Sequence, residues 1–493
     1  MSKLYQQIFA RRLAGLLPLV AFVAAGALWA GDAQAQGFGV YEQGTCAMGR
    51  GGATGAEPCG DGSAIFFNPA GLAGSRGATV SAGVTLITAA GDFTDDATGA
   101  STDLDNDPIP VPHAFLAYGL DERLALGLGV YVPYGLGTRW PVEFEGRFLG
   151  YDNSVQSIYI QPTAAYRITD RISVGAGLTV VVGAIEINQR ADLAAQSVGG
   201  LPLSLIGVPA GTDFADARLE AGGATGIGGN FGVAVEATDR LRLGARFTTP
   251  VKLSYEGDAT FTPVAFGTST WTLPAGNPFG APAGTPVDAI TLPAGNPFGV
   301  PAGTPLNAVI QGAVQQQFTG ALRAQSVETE IEMPAQLVVG VGFQATERLL
   351  VLADYQWTGW SSFETVPIDF EAAPDRVLHE HYEDTHGLRL GAEYALDDAF
   401  TLRAGFITHT AAAPDETVTP LLPEGPRYNV TLGLGWQPTA GVGLNVAYQY
   451  LAQSDRDGRV HDDPAGQPPT TALNSGVYSF MAHLVGATLT LRF

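Results

Sequence analysis

The stretch from Phe231 to Phe247, FGVAVEATDRLRLGARF, decides the fold. Its apolar side chains alternate with small or polar ones as far as Val235 and again after Leu241. Between the two runs lies a short polar turn, Thr238–Arg240. Because successive side chains of a strand point to opposite faces, this period of two predicts a pair of antiparallel strands joined by a tight turn.

The same pattern occurs in six hairpins along the chain. They cover residues 115–132, 158–180, 231–247, 339–357, 388–406 and 432–450. One more alternating strand leads the series at Val80–Leu86, and another closes it at Val485–Phe493. The resulting count of fourteen is even, as a closed bacterial barrel requires, and closure leaves no unpaired strand edge in lipid. The predicted fold class is all-β, a 14-stranded antiparallel transmembrane β-barrel.

The connections between the strands alternate in length. Short turns lie inside the hairpins, and long segments lie between them at 92–112, 134–154, 188–227, 257–333, 359–385, 410–426 and 452–477. This alternation is typical of outer-membrane barrels, whose short turns are periplasmic. Both chain ends are then periplasmic, and the terminal Phe493 fits a signal for the barrel-assembly machinery. A soluble β-sandwich or a secreted β-repeat protein is the alternative.

The first 35 residues have the features of a secretory signal. Basic residues precede the apolar stretch Leu13–Ala30, and Ala33–Ala35 is a small-residue cleavage site. An anchor helix is the alternative, because such a stretch nearly spans a bilayer. The whole chain has 25 basic and 48 acidic residues, a net charge of -23. Without a basic stripe to contact phosphates, we expect no nucleic-acid partner.

Residues 36–75 precede the first strand and are predicted to fill the barrel. Fourteen strands enclose a lumen wider than side chains alone can close, since about eight strands suffice for a packed interior. The segment combines apolar Ile65–Phe67 with the turn sequence Asn68–Ala70. We therefore expect a signal peptide at 1–35, a hatch that plugs the lumen at 36–75, and the barrel at 76–493.

Several motifs resemble the FadL family, outer-membrane transporters of long-chain fatty acids and other hydrophobic compounds. They are Gly37-Phe38, Glu42, Gly49-Arg50-Gly51, Asp61, Phe67-Asn68-Pro69-Ala70-Gly71-Leu72 and Val132-Pro133-Tyr134-Gly135-Leu136 with Trp140. The resemblance implies a fourteen-stranded barrel with an N-terminal hatch. It implies inward transport of hydrophobic molecules without a cofactor, with ligand arriving near loops 188–227 and 257–333. Hatch movement would release the ligand, which would leave sideways through the wall at the third strand.

The residues assigned to the hatch and gate are Asn68, Pro69, Ala70, Gly127, Gly129 and Pro133. The Asn-Pro-Ala turn is expected to position the hatch against the third strand, because Asn makes local hydrogen bonds and Pro fixes φ. The alternative is an ordinary turn into the first strand. The two glycines are expected to permit a kink in the third strand, where the wall would open.

The candidate ligand-binding residues are Arg246, Lys252, Arg389, Arg403, Phe66 and Phe67. The four cations have the strand parity of the lumen, although Pro250 interrupts the register just before Lys252. Arginine can fork two bonds to a carboxylate, so these residues suit the head group of a fatty acid. Cross-strand ion pairing is the alternative role, and a neutral hydrocarbon ligand needs no cation.

Cysteines and histidines offer two further possible sites. Cys46 and Cys59 are expected to form a disulfide in the oxidising periplasm, with two free thiols or half a metal site as the alternatives. His379, His381 and His386 lie in an acidic loop. Imidazoles with carboxylates can hold Zn²⁺, but a polar extracellular loop explains the same residues, so no metal is assigned.

The longest loop contains a tandem repeat. Thr272–Gly280 recurs as Thr291–Gly299, an offset of 19 residues. Two copies are too few for a solenoid, so an exposed duplicated loop is expected. Thr304-Pro305 can begin a helix whose apolar positions continue to Leu322.

The remaining function classes are weaker. An outer-membrane phospholipase would need Ser and His at matching depth, and no diagnostic Ser accompanies His483, so we expect no enzyme. A general or solute-selective porin is the main alternative to a transporter of hydrophobic molecules. The loops could add an adhesin or phage-receptor role. We expect a monomer whose partners are a hydrophobic small-molecule ligand, outer-membrane lipid and lipopolysaccharide.

Overall fold

The computed structural model of the protein describes residues 38–460 and 476–493, so the expected signal peptide at 1–35 lies outside the described residues. The chain forms a closed antiparallel barrel of 14 strands, as predicted. The barrel strands are β1 (Gly77–Asp95), β2 (Ile109–Gly119), β3 (Leu124–Arg139), β4 (Asp152–Thr169), β5 (Ile172–Asp192), β6 (Asp213–Glu236), β7 (Leu241–Thr248 and Val251–Pro263), β8 (Gln325–Met333 and Gln336–Gln344), β9 (Leu349–Thr358), β10 (Thr385–Ala395), β11 (Phe400–His409), β12 (Arg427–Thr439), β13 (Val442–Gln453) and β14 (Gly476–Arg492).

Pairing of the first and last strands closes the barrel. β1 pairs with β14 from Thr79–Arg492 to Asp95–Gly476, and with β2 along its other edge. Each of the six predicted hairpins is present, with a short turn at one end of the barrel. Small strands extend the opposite rim at Ser101–Asp103, Ser197–Val198, Leu201–Pro202, Thr365–Phe370, Arg376–His379 and Arg456–Gly458.

The two faces of the wall differ as the alternation predicts. Large apolar side chains such as Val80, Leu126 and Leu432 are exposed on the outside, as is typical of the lipid-facing band of a transmembrane barrel. Polar side chains such as Gln161 and Thr431 are buried in the lumen. The alternation of apolar and polar side chains along each strand therefore produces an apolar outer surface around a polar interior.

One predicted lumen residue faces outward instead. β7 is interrupted at residues 249–250, and the parity of its side chains changes there. Arg246 is buried before the break, whereas Lys252 is exposed after it and forms an ion pair with Glu330 at 2.5 Å. The expectation that Lys252 faces the lumen is wrong, because the buried face changes from even to odd positions across the break at residues 249–250, while the pairing with β8 keeps its register.

The described helices are short: α1 (Thr45–Gly49), α2 (Ala64–Phe67) and α3 (Leu306–Gln317). Short 3₁₀ turns lie at Pro69–Leu72, Glu145–Phe148, Leu203–Ile206, Val287–Ala289, Trp360–Ser362 and Asp415–Thr417. None of the helices in the described residues is long and apolar enough to cross a membrane. The third helix begins directly after the predicted Thr-Pro start.

The residues before β1 lie inside the barrel. Cys46 and Cys59 form the predicted disulfide within this segment. The segment contacts both strands of the closing seam: the hydroxyls of Thr45 and Thr488 are 2.5 Å apart, and Ser81 donates to the carbonyl oxygen of Asp61 at 2.5 Å. The first and last strands are thus each bonded to the same buried segment.

The two repeats in the longest loop adopt one conformation and stack. Asn277 donates to the carbonyls of Pro274 and Ala281, and Asn296 makes the same two bonds to Pro293 and Val300. Asn307 donates to Asp288 at 2.9 Å across the stack. Leu273, Leu292, Val287 and Leu306 are buried in a core shared with residues 193–215. The repeats are therefore two stacked coils on the barrel rim rather than a loose exposed loop.

Candidate functional site

The barrel wall has an opening between β2 and β3. Their ladder ends at the pair Ala114–Val130, although β2 begins at Ile109 and β3 continues to Arg139. On its other edge β3 changes register against β4 between Tyr131 and Tyr134. Beyond this point β3 bends away from β2, because the extra residue locally disrupts the ladder.

The N-terminal segment lies across the inner side of this opening. Val40 donates its backbone N–H to the carbonyl of Pro133 at 2.7 Å, and Gly135 donates to the carbonyl of Phe38 at 3.1 Å. The Gln43 amide donates to the carbonyl of Val132 at 2.6 Å and accepts from its N–H at 3.2 Å. The segment therefore satisfies backbone groups that an adjacent strand would otherwise pair.

An aromatic cluster holds the start of that segment. The ring of Phe38 lies 4.8 Å from that of Trp360, 5.8 Å from Phe363 and 6.0 Å from Tyr134, measured between centroids. Tyr382 joins the cluster from the same rim loop as Trp360 and Phe363. Burial raises the pKa of Tyr382 well above its ordinary value, so this ring stays neutral. The cluster links the extracellular rim directly to the segment at the wall opening.

A cavity of about 390 Å³ leads inward from the opening. At the opening it is lined by Ile109, Val111 and Leu136, and along β1 and β14 by further apolar residues. Its far end on β10–β13 is polar. The polar lining residues there are Arg389, His409, Arg427, Asn429 and Gln449. The cavity is therefore amphipathic, with its cations at the end away from the wall opening.

Arg389 is the central cation of the polar end. Its side chain is buried, and its guanidinium lies 4.5 Å from the ring centroid of Tyr41. Among the described residues, its Nε and Nη2 atoms have no hydrogen-bond partner. A buried donor without a hydrogen-bond partner costs free energy, so this arrangement suits an anionic or hydrated ligand group beside the guanidinium.

The other predicted cations have different roles. Arg246 donates to the carbonyl of Phe66 at 3.1 Å and lies over its ring, so it holds the hatch. Arg403 pairs with Glu393 at 2.6 Å, a carboxylate that also lies 3.7 Å from Arg50. Cross-strand and hatch pairing, the alternative role, therefore describes both Arg246 and Arg403 better than ligand binding does.

The two hatch phenylalanines pack against protein. Phe66 lies 5.0 Å from Tyr131 and 4.8 Å from Phe67 between ring centroids. Phe66 lines only a small gap of about 30 Å³ beside Arg246, separate from the large cavity. Neither ring belongs to the lining of the large cavity.

Asn68 fixes the hatch to a different part of the wall from the one predicted. Its amide donates to the carbonyl of Gly55 at 2.6 Å and to that of Val233, on β6, at 3.1 Å. Its oxygen accepts from the N–H of Ala70. Pro69 lies against Gly175 of β5 and Gly232 of β6. The Asn-Pro-Ala turn itself therefore lies against β5 and β6, while Ile65 and Leu72 on either side of it lie against the third strand at Gly127.

The two glycines of β3 receive the hatch and do not form the kink. Gly127 and Gly129 pair regularly with both neighbouring strands. A Cβ on Gly127 would lie 2.8 Å from Ile65, and one on Gly129 would lie 2.9 Å from the same side chain. The register change lies at residues 132–133 instead, so of the predicted gate residues of β3 only Pro133 is at the opening.

The three candidate metal-binding histidines do not converge. The ring of His379 stacks on that of His381, which bonds to Glu364 at 2.7 Å, while His386 bonds to Tyr355 on the outer wall. The cluster Cys46, Cys59 and Asp61 is the one group with metal-ligand spacing in the described residues. Its cysteines are joined as a disulfide and so offer no thiolate.

Sequence reasoning missed Arg427, His409 and the clamp made by Gln43. Arg427 shares its parity with Asn429 and Thr431, so extending the predicted strand upward from Leu432 would have found it. No comparable signal exists for Gln43, whose partner Val132 is 89 residues away.

Residues 26–493 match the family described as outer membrane protein transport protein (OMPP1/FadL/TodX). Outer membrane protein P1 of Haemophilus influenzae is 24% identical over 459 residues, covering 86% of this chain and 87% of that protein. A long-chain fatty acid transport protein of Escherichia coli is 22% identical over 444 residues, covering 87% and 90%.

Two solved structures illustrate the shared fold. A FadL homologue of Pseudomonas aeruginosa superposes with a TM-score of 0.74 at 21% identity, covering 93% of this chain and all of that one. The toluene transporter TodX of Pseudomonas putida gives a TM-score of 0.64 at 20% identity, covering 94% and 99%. Both comparisons support the barrel topology described above.

Proposed function

Because the chain belongs to the outer membrane protein transport family (OMPP1/FadL/TodX), we propose that it carries hydrophobic molecules inward across the outer membrane. It is an outer-membrane protein of a Gram-negative bacterium. Lipopolysaccharide slows apolar diffusion, so such molecules need a protein route. The relatives named above include transporters of fatty acids and of toluene, and the proposal covers both classes.

The observation that carries this proposal is the course of the amphipathic cavity. Its apolar side reaches the wall opening beside Val111 and Leu136, and its polar end holds buried Arg389. A ligand with one polar end and a long apolar body matches this gradient, because each end is then covered by groups of its own polarity. A water-filled porin needs neither an apolar cavity that reaches the wall nor a buried arginine at its end.

Between the two substrate classes, the cavity favours a long-chain carboxylate. Arg389 has unpartnered nitrogens, and Arg427 lines the same end. Two guanidiniums suit a carboxylate, which accepts paired bonds from each. An aromatic hydrocarbon would leave the unpartnered nitrogens of Arg389 unsatisfied, at a cost in binding free energy.

The proposed route has three parts. Ligand arrives near loops 188–227 and 257–333 and enters the cavity from the rim. The hatch, assigned to residues 36–75, moves to free it, and the ligand leaves sideways between β2 and β3 near Pro133. The barrel at 76–493 is the fixed part. No cofactor or catalytic step is needed, and we propose that the protein acts as a monomer assembled by the barrel-assembly machinery.

Uptake into proteoliposomes tests this function. We expect oleate to enter faster than into protein-free vesicles, and sucrose to be excluded. Uptake of sucrose without uptake of either oleate or oleyl alcohol would reverse the assignment in favour of a solute porin.

Charge-removing variants test the head-group site. Arg389→Gln and Arg427→Gln should each weaken oleate binding by about tenfold or more, the loss expected for a charge-assisted hydrogen bond. Binding of oleyl alcohol should change little. Lys252→Gln is the matched control, since Lys252 lies on the outer face. Equal affinity for both ligands in every variant would indicate a hydrocarbon carrier.

A further inference from the structure

We propose that Glu42 is the residue through which an anionic ligand displaces the hatch segment that covers the wall opening, a role that rests on the proposed function. Glu42 belongs to the hatch, lines the same cavity as Arg389 and Arg427, and is only 8% exposed. Its carboxylate accepts a hydrogen bond from the neutral amide of Gln449 at 2.8 Å. Asp354 on β9 is the nearer wall anion for Arg389, and Glu424 is the nearer rim anion for Arg427, whereas Glu42 is the hatch carboxylate that faces both guanidiniums. Glu42 is therefore the hatch's own anion at the place where a ligand carboxylate would bind.

The two residues that flank Glu42 connect this anion to the wall. Tyr41 lies under the guanidinium of Arg389, 4.5 Å from its ring centroid. Gln43 holds both backbone groups of Val132 at the edge of the opening, at 2.6 and 3.2 Å. A shift of the backbone at Glu42 also moves Gln43, because the two are adjacent in the chain. Withdrawal of the hatch backbone at Glu42 therefore reaches the clamp on β3 directly.

Binding of a carboxylate supplies the force for that displacement. A ligand carboxylate on Arg389 takes over the favourable interaction with the cations and repels Glu42, because like charges in a buried site disfavour each other. Glu42 then withdraws, and Gln43 releases Val132. A neutral ligand of the same length fills the apolar part of the cavity without moving Glu42. The opening step, rather than binding alone, therefore distinguishes acids from neutral molecules.

The variant Glu42→Gln separates binding from opening. It keeps the size of the side chain and the acceptor for Gln449 but removes the charge. We expect oleate to bind at least about fivefold more tightly, a coupling at the low end of those measured between linked sites. The uptake rate at saturating oleate should nevertheless fall. Binding and uptake of oleyl alcohol should match those of the wild type.

Glu57→Gln is the matched control. Glu57 is a second hatch carboxylate, and its partner is Arg242 rather than the cavity. Any loosening of the hatch in this variant should affect oleate and oleyl alcohol alike. An acid-specific change in Glu57→Gln as large as that in Glu42→Gln would contradict the role assigned to Glu42.

Hydrogen exchange in the wild-type protein gives a test that needs no variant. Oleate should speed exchange of the backbone amides at 38–43 and at residues 132, 134 and 135, and oleyl alcohol should not. Equal exchange with both ligands, or unchanged oleate binding and uptake in Glu42→Gln, would overturn the inference while leaving the transport function standing. A wild-type protein that takes up neither ligand would instead remove the proposed function itself.

Discussion

At the scale of single residues, the side chain of Asn68 joins the hatch to the wall through three hydrogen bonds. Its one amide group satisfies the hatch carbonyl of Gly55, the wall carbonyl of Val233 and the N–H of Ala70. It therefore caps a turn and attaches the hatch to the wall at once. The side chain is fully buried, so water cannot replace these bonds.

Replacement of Asn68 by Ala should loosen the hatch and leave the barrel intact. Each unsatisfied buried group costs about 1–3 kcal/mol. We expect faster hydrogen exchange at residues 55–72 and slower oleate uptake, with unchanged heat-modifiable mobility of the folded barrel. Asn188→Ala is the control, because its bonds go to Asp152 and Glu186 instead. Unchanged uptake in Asn68→Ala would favour the ordinary-turn interpretation.

At the scale of elements, glycines in the barrel strands determine how closely the backbone of the hatch approaches the wall. Gly391 and Gly405 face the backbone of Arg50 and Gly51 so closely that a Cβ at either position would overlap it. The backbone of the hatch can lie against the strands only because no side chain separates them.

Gly405→Ala should therefore push the hatch from the wall. Overpacking of this kind costs about 1–3 kcal/mol, and the disulfide-closed loop at 46–59 cannot move far to relieve it. We expect protease sensitivity within the hatch while the barrel stays folded. Gly222→Ala is the control, since a Cβ there meets no atom within 4 Å. If the two variants resist protease equally, the barrel strand, rather than the hatch, has moved to make room for the added methyl group.

Because the two stacked coils at the rim repeat the same contacts, we expect that a further copy of the repeat can be added to the stack. Equivalent residues 19 positions apart make equivalent bonds, and Asn307 reaches Asp288 across one such step. Each coil needs only a neighbour to bury its apolar face. A third copy of residues 272–290, inserted before Thr291, should fold as another coil.

This insertion is checked by limited proteolysis. The three-coil protein should resist protease as well as the wild type and take up oleate at a similar rate. An insert of the same length with the repeat scrambled is the control, and it should be cleaved. Cleavage of both inserts would mean that stacking depends on contacts unique to the two native coils.

The elements show which features the sequence could predict. Alternation is local, so the six hairpins and the closing strand followed from it directly. The side of the wall on which Lys252 lies could not be predicted in the same way. The strand is interrupted at Pro250, and the sequence does not show whether odd or even positions face the lumen after the interruption. The wall opening was placed on the correct strand but at the wrong residues. Its position depends on the missing ladder between β2 and β3 and on the bend at Pro133.

At the scale of the whole molecule, the hatch is one continuous segment that precedes every barrel strand, so it can be deleted without interrupting the barrel sequence. All fourteen strands follow residue 76, and the ladder closes on itself without help from the hatch. Fourteen strands alone leave an aqueous lumen. Deletion of residues 36–75 should therefore give a folded barrel with a large, steady conductance in planar bilayers.

The full-length Cys46→Ser/Cys59→Ser protein is the control for this deletion. Its hatch loses about 3 kcal/mol of loop constraint on the chain-entropy model but stays in the lumen, so it should remain closed to ions. A deletion variant that folds but conducts no better than this control would show that the rim loops, and not the hatch, close the pore.

The bonds from the hatch to the seam have a consequence for biogenesis. Thr45 contacts the last strand and Asp61 contacts the first, so the segment before β1 bridges the two edges that close the barrel. The hatch must already be inside the curved sheet when these edges meet, since afterwards the wall surrounds it. The order of events is thus hatch first and seam last. A chain whose hatch arrives late should still close its barrel, but with the hatch left outside the lumen and the pore open.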